Sequence, residues 1–126
     1  MKVLFENSFF RLEQRENVAV LVRTATPFGD RRSIEDGHAG PADVLAASGL
    51  RRCLVDVRGS PPGRNDPLYE QASAAGRKRL HTICERTAVL VRSAAGKLQI
   101  QRLVRADGTE IPVFLDEKEA WDYLLR

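Results

Sequence analysis

Three short, mainly apolar segments, separated by longer polar stretches, constrain the fold of this chain more than any other feature of its sequence. They cover residues 52–57, 87–91 and 111–115. Strands that are apolar on both faces are typical of a parallel sheet that helices cover. Parallel neighbours also need long connections, and those connections are usually helices. The pattern therefore predicts an α/β fold.

Helix signals occur in the polar stretches. Residues 41–48 predict a short helix with proline at its first position and glycine directly after it, and residues 33–36 predict a helical turn before it. Asp66 and Pro67 begin the longest predicted helix. Its apolar residues recur at helical spacing, which predicts a buried face. That face contains Leu68, Ala72, Ala75, either Arg79 or Leu80, and Ile83.

The C-terminal part of the chain predicts two more helices. Residues 94–105 form an amphipathic stretch in which either Leu98 or Leu103 faces inward. Asp116 follows the last apolar segment and caps a closing helix, with Glu119 three residues later. The chain therefore alternates strands and helices to its end.

The N-terminal part predicts a β-hairpin from residues 9–13 and 18–24, with a polar connection between them. The fold class is then α/β, with a mixed sheet of about five strands, an N-terminal hairpin and helices packed on the sheet. A length of 126 residues fits one domain spanning residues 1–126. The apolar runs are far shorter than the roughly 18 residues of a membrane helix. We expect no transmembrane segment and a cytoplasmic location.

Composition and spacing exclude several classes of function. The net charge is only +3 and aromatic residues are 6%, so nucleic-acid binding is not expected. Cys53 and Cys84 are predicted to be buried thiols, His38 to lie in a flexible connection, and His81 to lie exposed on the longest helix. Their intervals fit no metal site, and no cofactor or catalytic motif is present. The chain is not expected to be an enzyme.

A candidate anion site lies between the strand at residues 52–57 and the longest helix. Arg58 and Arg64 supply guanidinium groups there, and Asn65 and Asp66 stand at the helix start. A helix N-terminus at the carboxyl end of a parallel strand is a common place for a ligand. The alternative interpretation is that Arg58 pairs with Asp56 and that the loop binds nothing.

A candidate interface lies on the longest helix. Its residues are Leu68, Tyr69, Arg77 and Lys78. Aromatic residues and arginines are enriched where proteins bind one another, so a protein partner or a second copy of the chain is predicted. The alternative interpretation is a solvated helix face whose basic groups are balanced by nearby acids.

Three segments carry a resemblance to a known family. They read RRCLVDVRGS over residues 51–60, RTAVLVRS over residues 86–93 and VFLDEKEAWDYLL over residues 113–125. Together with the order of the elements, they resemble the SpoIIAA-like branch of the STAS superfamily, which is named for sulfate transporters and anti-sigma-factor antagonists. The resemblance spans nearly the whole chain and implies the same mixed sheet.

The resemblance also implies a function. Anti-sigma antagonists of the superfamily carry a phosphorylatable serine at the start of a helix, whereas Asn65 or Asp66 would occupy that position here. We therefore expect a non-enzymatic regulatory or adaptor domain that binds another protein without this switch. The alternative is a module that binds a small anionic or apolar molecule at residues 56–66.

Overall fold

Within residues 1–62 and 66–126, which the computed structural model describes, the chain forms six strands and four helices. The strands are β1 (Lys2–Glu6), β2 (Phe10–Arg15), β3 (Val18–Arg23), β4 (Arg52–Asp56), β5 (Arg86–Leu90) and β6 (Val113–Phe114). The helices are α1 (Arg31–Ser48), α2 (Pro67–Ile83), α3 (Ala94–Ala106) and α4 (Glu117–Leu125). No helix in these described ranges is both long and apolar enough to cross a membrane.

The strands form one mixed sheet whose order in space is the order in the chain, β1 to β6. β1, β2 and β3 pair antiparallel, and β3, β4, β5 and β6 pair parallel. Each parallel pair is connected by one helix, as parallel pairing requires. The predicted α/β class is thus confirmed.

The prediction missed β1, which adds one strand to the expected number. β1 pairs with β2 from Lys2↔Gln14 to Glu6↔Arg11, so it is an edge strand. None of its residues is fully buried. An edge strand without a clear alternation of buried and exposed residues gives a weak sequence signal.

The two faces of the sheet bury different residues because side chains alternate along a strand. On one face, Leu54 and Leu90 pack against Ala120 and Leu124 of α4. On the other face, Leu21 and Cys53 belong to a core cluster with residues of α1 and α2. Farther along that second face, Val89 and Val91 form a separate cluster with Val104 of α3. The face with Leu54 and Leu90 is covered by α4, and the opposite face is covered by α1, α2 and α3.

The start of α1 differs from the prediction. The helix begins at Arg31 and contains Pro41 in its interior, whereas the sequence predicted a start at Pro41. Proline has no N–H to donate to the carbonyl four residues earlier, which is that of Gly37. The Asn7 side-chain amide donates to this carbonyl at 3.2 Å. A side chain from the turn between β1 and β2 therefore replaces the missing helix bond, and residues 33–36 lie inside α1.

The buried face of α2 also differs from the prediction. Ala72 and Leu80 are buried as expected, but Leu68 and Ala75 are exposed, and the polar Ser73 is buried. Gly76 lies on this face against α1. A Cβ atom at Gly76 would overlap the ring of His38, so only glycine allows the two helices to approach this closely.

We predict that Gly76→Ala destabilises the protein by about 1–2 kcal/mol. The overlap with His38 costs about 1–3 kcal/mol, and the higher helix propensity of alanine returns at most about 1 kcal/mol. Urea unfolding followed by circular dichroism measures the difference. In a His38→Ala background the same change should stabilise the protein, and an equal loss in both backgrounds would show that the His38 contact is not the cause.

Candidate functional site

A cavity of about 310 Å³ lies between α2, α3 and the sheet. It separates the α1–α2 cluster from the α3 cluster on the same sheet face. Its lining includes residues at or just after the carboxyl ends of β3, β4 and β5, where open α/β sheets bind ligands. Ser73 is the small residue that α2 contributes to this lining.

Most of the surface of the cavity wall is apolar. Val55, Val89 and Val91 contribute from the sheet side, and Ile100 and Leu103 from α3. Leu103 is therefore the inward-facing leucine of the two predicted alternatives, while Leu98 is 70% exposed. Such a wall favours the apolar part of a small molecule.

Arg23 is the buried cation of the site. It ends β3, lines the cavity and is only 6% exposed. Its Nη1 donates to the backbone carbonyls of Phe9 at 3.2 Å and Thr24 at 2.8 Å. Its guanidinium lies 4.2 Å from the centre of the Phe28 ring, which is a cation–π contact. Burial lowers the pKa of Arg23, although an arginine stays protonated in proteins.

His38 lies beside this aromatic cluster. It is a half-buried residue of α1, not part of a flexible connection as predicted, because the helix begins ten residues earlier than Pro41. Nδ1 lies 2.7 Å from the Ile34 carbonyl, so the proton is on Nδ1 and Nε2 is an acceptor. The ring stacks on Phe28 at 5.3 Å. Burial lowers the pKa of His38, and the nearby charges of Arg23 and Arg77 lower it further.

Ser73 adds a polar group to the cavity wall. Its side chain lines the cavity, and the residue is 6% exposed. Its hydroxyl has no hydrogen-bond partner among the described residues. Buried hydroxyls normally have a partner, because an unpaired one costs about 1–3 kcal/mol. The hydroxyl oxygen is itself enclosed by the protein, so it belongs to the packing of the cavity wall and is not a contact open to a ligand.

Arg77 connects the two helices that border the cavity. Its Nε and Nη2 donate to the two carboxylate oxygens of Asp107 at 2.7 and 3.1 Å, and Asp107 caps the C-terminus of α3. This predicted interface residue is thus engaged within the chain. Of the other three, Tyr69 is half-buried at the cavity, while Leu68 and Lys78 are exposed on α2.

The predicted anion site is only partly described. Arg58 donates to both carboxylate oxygens of Asp56, at 3.0 and 2.9 Å, and to Glu117 at 3.0 Å. Burial alone would raise the pKa of Asp56, but the contacts with Arg58 outweigh it and lower that pKa. Asp66 is the N-cap of α2 and accepts from the Leu68 N–H at 3.0 Å. Arg64 and Asn65 lie outside the described residues.

The two cysteines are free and buried, as predicted, and the fold brings them together. A hydrogen bond between the thiols raises the pKa of Cys53 and lowers that of Cys84. Neither side chain lines the cavity. In the part of the chain that the structure describes, no group of three or more His, Cys, Asp or Glu residues is placed to hold a metal ion.

Arg23, His38 and Ser73 are polar residues of the cavity lining that the sequence did not predict as site residues. The one available signal was Arg23, a charged residue at the end of an otherwise apolar strand. Compared with protein-family models and with curated proteins, the chain matches none. The geometry of the cavity is therefore the basis for the function proposed below.

We predict that the buried His38 makes stability depend on pH. Because folding lowers its pKa, the unfolded chain binds a proton more readily, so the free energy of unfolding is highest above about pH 6.5 and falls as the pH decreases below it. Denaturant unfolding between about pH 7.5 and 5.5 measures this slope. His38→Gln should flatten it, whereas the exposed His81→Gln should not. Equal slopes in the wild type and His38→Gln would contradict the prediction.

Proposed function

We propose that this protein acts by binding a small, mainly apolar molecule in the cavity between α2, α3 and the sheet. The observation that carries the proposal is the cavity itself, about 310 Å³ inside a domain of 126 residues. The cavity opens partly to solvent, as ligand pockets do. Ligand pockets start at about 300 Å³, so the cavity is large enough for a small molecule and too small for a polymer.

The position of the cavity supports the same proposal. Its lining combines a mainly apolar surface with polar and charged side chains, and ligand pockets use such groups to orient an apolar molecule. This proposal corresponds to the alternative function predicted from the sequence, a module that binds a small anionic or apolar molecule. The proposed site is the cavity, whereas the sequence predicted the loop at residues 56–66. Ser60 and Pro61 of that loop line the cavity, so the two locations are adjacent.

Membership of the SpoIIAA-like branch of the STAS superfamily remains part of this proposal. The mixed sheet, the antiparallel N-terminal strands and the closing helix α4 are consistent with it. A regulatory domain that responds to a small molecule would combine the two predicted functions, because ligand binding and partner binding would then use the same helix, α2.

We expect the neutral fluorescent probe N-phenylnaphthylamine to bind the wild type with enhanced emission. Ile100→Trp places a large side chain in the cavity and should weaken probe binding by about tenfold or more, since an occupied pocket no longer buries the probe. Leu98→Trp is the matched control on the exposed side of α3 and should leave binding unchanged. Circular dichroism verifies that both variants fold, and Leu103→Phe serves if Ile100→Trp does not.

Equal loss of binding in both tryptophan variants, or no binding to the wild type, would contradict cavity binding. Equal binding by all three proteins would assign the probe to the protein surface and would also contradict it.

A second function, binding of another protein through α2, is favoured by one observation. Leu68 is 56% exposed at the start of α2, and Lys78 is exposed two to three turns later on the same helix. Exposed leucines contribute apolar area to interfaces. A second copy of the chain is the simplest partner, because a two-fold interface uses the same patch twice.

We therefore predict that Leu68→Glu shifts a dimer toward monomer in sedimentation velocity, because two carboxylates would face each other across a two-fold axis. Leu125→Glu on α4 is the control, since Leu125 is similarly exposed on the opposite face of the sheet. A monomeric wild type at all concentrations would exclude the homodimer.

A further inference from the structure

We propose that the molecule bound in the cavity carries a carboxylate and that Arg23 binds this group. The inference rests on the cavity binding proposed above and adds the chemical class of the ligand. It follows from the hydrogen bonds of Arg23 and from the distribution of charge around the cavity.

The guanidinium of Arg23 uses only part of its hydrogen-bonding capacity. Nη1 makes both of its bonds, to the Phe9 and Thr24 carbonyls. Nε and Nη2 make no hydrogen bond to any described residue. These two nitrogens form one edge of the guanidinium, and two parallel N–H groups on one edge match the two oxygens of a carboxylate. The free edge belongs to a side chain that lines the cavity and is 94% buried.

The position of this edge is fixed by its surroundings. The bonds from Nη1 hold one end of the group against the backbone, and the Phe28 ring lies against its plane. Phe10 contributes a second ring, 5.6 Å from the guanidinium carbon. A guanidinium that is already ordered loses little freedom when it binds an anion.

The charge of Arg23 is not balanced within the described part of the chain, where no ion pair includes it. A buried cation without a counter-ion is costly. The other arginines at the cavity differ, because Arg77 is paired with Asp107 and Arg92 is exposed to water. Glu70 is the acid in the lining, and it makes no ion pair with Arg23. A single negative charge on the ligand would balance the charge of Arg23.

A monocarboxylate with an apolar body fits these requirements together. Its single charge balances Arg23, while a phosphate monoester would bring about −1.5 to −2 charges at neutral pH. The apolar surface of the cavity wall would contact the rest of the molecule.

The test compares octanoate, octanol and octylamine, which share one apolar chain and differ in charge. Each competes with bound N-phenylnaphthylamine on the wild type, Arg23→Lys, Arg23→Met, Arg92→Met and Arg102→Met. We expect the wild type to bind octanoate about 10- to 100-fold more tightly than octanol, as a charge-assisted bidentate contact provides, and octylamine most weakly. Arg23→Met should bind octanoate and octanol equally, and Arg23→Lys should keep part of the preference. Arg92→Met tests the other arginine of the lining that has no ion pair among the described residues and should keep most of the preference, while the exposed Arg102→Met, outside the lining, is the control that should keep all of it.

The outcomes separate this inference from the proposed function. If the wild type binds octanoate and octanol equally, the carboxylate assignment is wrong and cavity binding stands. If Arg92→Met loses the preference and Arg23→Met keeps it, the assignment to Arg23 is wrong. If no compound displaces the probe, both proposals fail. If Arg23→Met does not fold, Arg23→Lys tests the assignment to Arg23, because it retains the positive charge but not the two parallel N–H groups.

Discussion

Burial of β4 and β5 on both faces is the constraint on which the rest of this structure depends. Their side chains alternate between the α4 side, with Leu54 and Leu90, and the side covered by α1, α2 and α3, with Cys53 and Val89. Two buried faces require helices on both sides, and parallel pairing requires a helix in each connection. The layers of the fold and the helical connections between the parallel strands follow from this requirement.

Sequence patterns were sufficient for those parts of the fold that local chemistry determines. The apolar strands and the helices α2, α3 and α4 begin at clear signals, such as the N-caps Asp66 and Asp116. The start of α1 was not predictable in this way. Pro41 locally favours a helix start, and only the Asn7 side chain, 30 residues away from Gly37 in sequence, makes an interior proline acceptable. A contact of that kind has no signal in the neighbouring residues.

The candidate site was less predictable than the fold for the same reason. Arg23, His38 and Ser73 belong to β3, α1 and α2, and no sequence interval relates them. The patterns drew attention instead to Arg58, whose neighbours Asp56 and Glu117 satisfy its guanidinium. Arg23 ends an apolar strand and Arg58 follows one. They differ because Arg58 has counter-ions, whereas Arg23 has none among the described residues. Whether a charged side chain has a counter-ion depends on tertiary packing. Residue types alone therefore do not predict which arginine is the site residue.

The bond between Asn7 and the Gly37 carbonyl also bears on how the chain folds. An isolated peptide covering α1 would break at Pro41, since nothing would satisfy that carbonyl or offset the cost of an interior proline. The N-terminal half of α1 can therefore become stable only once the β1–β2 turn has reached it. His38 lies in this half of the helix, and Phe28 immediately precedes it. The aromatic surroundings of Arg23 thus assemble together with the N-terminal strands in one cooperative unit, and opening of that edge of the sheet would loosen the ligand cavity.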